Sequence, residues 1–90
     1  MAKTAPASES LQEALGTLTP EEWMLVRLRD QLYGGRWAEM RTDLHSRRRG
    51  EPYIFKLVHR IEEDLQRIER LEAVEQRWSI DLGEHLPADA

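Results

Sequence analysis

Cysteine is missing from this 90-residue chain, which rules out disulfide cross-links and the thiolate zinc sites that hold many very small domains together. No run of about 18 apolar residues occurs anywhere in it, so no membrane-spanning helix is predicted. Met1–Ser10 holds one lysine but no apolar stretch like the core of a secretory leader, and a cytoplasmic, soluble protein is the expectation. Glycine-rich phosphate loops are lacking too. Gly34-Gly35 is an isolated pair without the following Lys-Ser or Lys-Thr, and Ser46 and Ser79 have no flanking glycines to expose a nucleophilic hydroxyl. The adjacent carboxylates Glu62-Glu63-Asp64 need a cavity to tune their pKa values, and a short helical chain offers little of one. No enzymatic activity is therefore expected, and no cofactor.

What is present is charge, a third of all residues, with a net value of −4. It is unevenly spread. Between Arg27 and Arg60 nine bases face four acids, whereas from Ile61 onward nine acids face three bases. A chain with a basic middle and an acidic end attracts itself, within a bundle or between antiparallel copies.

Met1–Glu9 has nothing to bury and reads as a disordered segment, followed by one helical domain over 10–80 and a flexible tail over 81–90. Ser10-Leu11-Gln12-Glu13 has the form of a capping box opening a short helix that Gly16 stops. Thr19-Pro20-Glu21-Glu22 is a stronger start signal, with Thr as N-cap, Pro at the first helical position and Glu22 completing the box. The helix it opens, about 19–33, carries Leu25, Leu28 and Leu32 at helical spacing, widened by Trp23, Met24 and Val26, so that cover from more than one side is predicted. Gly34-Gly35 ends it. A narrower amphipathic helix follows over about 36–48, with Trp37, Met40 and Leu44 on one face. Gly50-Glu51-Pro52 breaks the chain again.

The longest signal comes last. Ile54, Leu57, Val58, Ile61, Leu65, Ile68, Leu71, Val74 and Trp78 recur at threes and fours among charged residues, predicting a coiled-coil-like helix over about 52–78. At 1.5 Å per residue it is roughly 40 Å long. The fold class is accordingly all-α: a hairpin of the two preceding helices, folded at Gly34-Gly35, packed on one long C-terminal helix, with a further short helix near Ser10. A hairpin that short leaves part of the long helix uncovered. Ile61, Leu65, Ile68, Leu71, Val74 and Trp78 are thus the predicted interface, offered to a second copy in antiparallel register or to another helical protein.

The function expected on this basis is a protein-protein interaction module that self-associates through its last helix. A second reading is a nucleic-acid-binding regulator using Arg41 and the run Arg47-Arg48-Arg49, since clustered cations supply phosphate contacts; the acidic last helix and the plain role of Arg at a helix C-terminus weigh against it. A third is a metal-binding oligomer, because His59 lies one helical turn from Glu62 and Glu63, although neither His45 nor His59 has the Glu three residues earlier that carboxylate-bridged metal bundles use. The sequence predicts no metal ligand set.

Overall fold

The computed structural model describes residues 9–50 and 55–88, and all regular structure among them is helical. Four α-helices, α1 (Leu11–Gly16), α2 (Pro20–Leu32), α3 (Trp37–Gly50) and α4 (Phe55–Trp78), are followed by a 3-10 turn at Leu82–His85. The segment 1–8, the break around Pro52 with Tyr53 and Ile54, and the side chains of Arg49, Lys56, Leu57, Val58 and His59 lie outside the described residues.

Local chemistry accounts for the helix starts. Ser10 accepts the Glu13 N–H at 3.1 Å while the Glu13 carboxylate accepts the Ser10 N–H at 2.9 Å, and Thr19 and Glu22 repeat the arrangement at the same two distances. Each box satisfies two N–H groups that a helix end otherwise leaves to water. Glu22 is fully enclosed and also meets Arg70 of α4 at 3.0 Å, so this cap fastens α2 to its neighbour. At the other end Gly34 and Gly35 take φ of 64° and 77°, the left-handed region where glycine costs least, and the Gly35 N–H returns to the Arg29 carbonyl at 3.1 Å.

The all-α arrangement of two helices packed on one long C-terminal helix is the expected one. The most extensive packing is between α3 and α4, with α2 lying across α4 and the 3-10 turn. Arg41 meets Glu72 at 2.6 Å, Arg48 meets Glu62 at 3.1 Å, and the Trp37 indole N–H donates to Glu75 at 2.7 Å, so residue numbers rise along one helix as they fall along the other, the signature of an antiparallel pair. The basic middle and acidic end of the sequence therefore attract each other within one chain. Gly34-Gly35 joins α2 to α3, and the two meet beside it through the Tyr33 hydroxyl and Asp43.

The core gathers Trp23, Leu25, Val26, Trp37, Met40, Ile68, Leu71 and Leu82. Val26, Ile68, Leu71 and Leu82 have no exposed surface, and full burial of side chains of this size contributes about 1.5–3 kcal/mol each. Leu82 is the correction to the tail expected over 81–90. Ser79, a non-glycine residue at φ 54°, ends α4 in a left-handed turn, the Ile80 N–H returns to the Glu75 carbonyl at 3.1 Å, and Leu82 is delivered onto the core. At Gly83 a Cβ would come within 2.0 Å of an Asp30 carboxylate oxygen, so a larger residue there would displace the Asp30 side chain from Arg29.

Beneath it lies a buried charge. Arg29 is 1% exposed. Its guanidinium donates to Glu75 at 2.7 Å, to Asp81 at 2.7 Å and to Asp30 at 3.0 Å, and stacks 4.5 Å from the Trp37 ring centroid. Glu75 in turn accepts the Leu82 N–H at 2.8 Å. Burial works against the charge of Arg29, yet its hydrogen bonds and charge contacts with Glu75 and Asp30 outweigh that and hold its pKa above the ordinary arginine value. One guanidinium thus ties α2, α3, α4 and the C-terminal turn together.

Candidate interaction surface

Helix α2 is apolar around most of its circumference, and α4 with the 3-10 turn covers only part of it. Trp23, Leu25 and Val26 point inward. Met24, Leu28 and Leu32, spaced at four residues, form a separate ridge along the outer edge of the helix. Met24 is 62% and Leu32 66% exposed, the large apolar side chains most open to water among the described residues, and Leu28 between them is half-buried. The predicted cover on more than one side is therefore incomplete.

Beside the ridge runs a cleft of about 230 Å³ where α2, α3 and α4 meet, floored by Leu25, Leu28, Met40 and Ile61 and walled by Leu32, Tyr33, Leu44, Arg47, Arg60 and Asp64. Past Arg60 and Asp64 it continues along α2 to Glu21, Met24, Glu63 and Arg67. The Leu32 end is fixed by a polar clasp. Tyr33 donates its hydroxyl proton to Asp43 at 2.5 Å, and Arg47 donates to the same carboxylate at 3.1 Å. The hydrogen bond from Tyr33, seconded by that from Arg47, pulls the Asp43 pKa below its usual value. The same bond, with burial and the negative charge of Asp43, pushes the tyrosine pKa up.

An apolar floor with a charged rim is the anatomy of a docking surface, in which the floor supplies affinity and the rim orientation. The two stretches together make one open furrow along α2.

The interface expected on α4 is placed otherwise. Ile61, Ile68 and Leu71 are buried against α2 and α3 within the chain, and a second copy could reach them only by opening the core. That seam is not a free surface, because its face is needed for the α3 pairing and the α2 crossing, which the spacing of apolar residues along α4 alone does not reveal. Leu65, Val74 and Trp78 are half-buried; Val74 packs on the core, Leu65 faces Arg41 and His45 across a shallow depression, and Trp78 lies under Arg77 at 4.9 Å.

The candidate phosphate-binding arginines are engaged as well. Arg41 holds Glu72, Arg47 holds Asp43 and Arg48 holds Glu62; Arg49 lies outside the described side chains. Among the described residues no three His, Asp or Glu side chains come together in a way that could hold a metal ion, and none of the helices is long and apolar enough to cross a membrane. His59 lies outside them.

The ridge of α2 was in view in the sequence as Met24, Leu28 and Leu32, but nothing local marked it as uncovered. Compared with models of known families, with curated proteins and with solved structures, the chain matches none.

Proposed function

We propose that this chain is a small helical protein-protein interaction module that docks through the α2 ridge and the adjoining cleft. The observation that carries the reading is the exposure of Met24 and Leu32 directly beside an apolar cleft. Two large, exposed apolar side chains joined by a half-buried third make a contiguous patch, which marks contact sites far better than scattered single residues do. A nucleic-acid role draws less support, because Arg41, Arg47 and Arg48 each face a carboxylate of the same chain, and a phosphate would have to compete with it.

Photo-cross-linking residues placed singly at Met24, at Leu32 and, as controls, at the exposed positions Thr42 and Ala73 test the proposal. Defined cross-linked species are expected from the two α2 positions, and they should vanish when Leu28→Glu is added. Equal yields from all four positions, or none from α2, refute it.

A further inference from the structure

We infer that the occupant of this surface is a second copy of the chain, docked about a two-fold axis at Leu28 with the two α2 helices antiparallel. The inference rests on the interaction reading above and names its partner.

The ridge is symmetric about its centre. Met24 and Leu32 lie four residues to either side of Leu28 and are almost equally exposed, at 62% and 66%. An antiparallel two-fold therefore sets Met24 against the partner's Leu32, and each projecting side chain meets the cleft of the other copy. Self-complementarity of this kind is what an isologous interface requires.

The rim charges agree. Along the full length of the cleft Glu21, Glu63 and Asp64 balance Arg47, Arg60 and Arg67. Glu21 and Glu63, with Arg67 beside them, border the Met24 end, Arg47 borders the Leu32 end, and Arg60 and Asp64 sit between. A strongly acidic or strongly basic partner would meet as much repulsion as attraction on such a rim. An antiparallel copy reverses the order of charges, so the net acidic Met24 end of each cleft meets the Arg47-Asp43 pair of the other rather than its own carboxylates, and like-charge repulsion is avoided in this register.

Because the sequence contains no cysteine, single introduced thiols report the register without background. Residues 24 and 24 of two antiparallel copies stand about 12 Å apart along the helix axis, at 1.5 Å per residue over eight residues, too far for a disulfide. Expected under mild oxidation are a covalent dimer of Leu28→Cys, little or none of Met24→Cys alone, and efficient linkage of Met24→Cys mixed with Leu32→Cys. Sedimentation of the whole chain should show a concentration-dependent dimer whose Kd rises roughly 30-fold or more in Leu32→Glu, with unchanged helicity by circular dichroism, since Leu32 is largely exposed. Self-linkage at Met24 as efficient as at Leu28 overturns the antiparallel register. A dimer indifferent to Leu32→Glu overturns the surface. A protein that stays monomeric at millimolar concentration while photo-cross-links from Met24 lead to a different protein overturns the second copy and leaves the interaction reading standing; absence of any cross-link from Met24 removes both.

Discussion

Replacing Arg29 by methionine removes the charge at the centre of the fold while keeping most of the length of the side chain. Three carboxylates lose a partner, but unequally. The side chains of Asp30 and Asp81 are 33% and 57% exposed and can turn to water, whereas that of Glu75 is 14% exposed. Leaving one buried charge without its counter-ion costs about 3–5 kcal/mol. Glu75 keeps the Trp37 and Leu82 N–H donors, which places Arg29→Met at the lower end, near 3 kcal/mol. Domains of this size are stable by roughly 5–13 kcal/mol, so the variant stays folded with a much reduced margin and melts about 12–24 °C lower. Urea unfolding followed by far-ultraviolet circular dichroism measures the loss, and adding Glu75→Gln should recover part of it by removing the stranded charge. A loss below about 1 kcal/mol, or no recovery in the double variant, would refute the view that this buried pair fastens the helices.

Two further substitutions probe the clasp and the C-terminal turn. Tyr33→Phe should cost about 1 kcal/mol or less at neutral pH, the Asp43 partner being partly exposed. The depressed Asp43 pKa means that its contribution is present above the unfolded value of 3.8 and is lost as pH falls through the lower folded one; the raised Tyr33 pKa means that its contribution is present below 10.0 and is lost as pH climbs through the higher folded one. Urea midpoints of wild type and variant should therefore run parallel between about pH 5 and 9 and converge outside that range, and a gap independent of pH would contradict the assignment. Ser79→Gly relieves a left-handed residue and should raise stability by about 0.5–1 kcal/mol, read as a higher melting temperature; a lower one would show that the serine side chain matters more than the backbone.

Much of the local structure is legible in the residues themselves. Thr19-Pro20-Glu21-Glu22 and Ser10 with Glu13 announce their helix starts because a cap is made by residues three apart, and Gly34-Gly35 announces a turn because its φ values favour glycine. The periodicity of α4 identifies its apolar face equally well. Which helix covers that face is a different kind of fact, decided by turn geometry and by ion pairs between residues far apart in the chain. Arg29 shows the limit most clearly. Read locally it is one more charge between Leu28 and Asp30, yet the carboxylates that bury it stand 46 and 52 residues further on, and no pattern within one helix points to them. The exposure of the α2 ridge is hidden for the related reason that an apolar face shows a need for cover, not its supply.

The meeting of Arg29 with Asp81 also sets an order of events during synthesis. Helix α2 leaves the ribosome before α4, carrying an arginine two of whose three carboxylate partners, Glu75 and Asp81, do not yet exist. Until Glu75 has been translated that side chain lacks its most buried counter-ion, and until Leu82 follows, the cover that α4 gives the inner face of α2 is incomplete. A chain halted before this point can pair α3 with α4, but it lacks the Asp81 carboxylate and the Leu82 side chain, so Arg29 and the core around Leu82 are completed only when the 3-10 turn arrives.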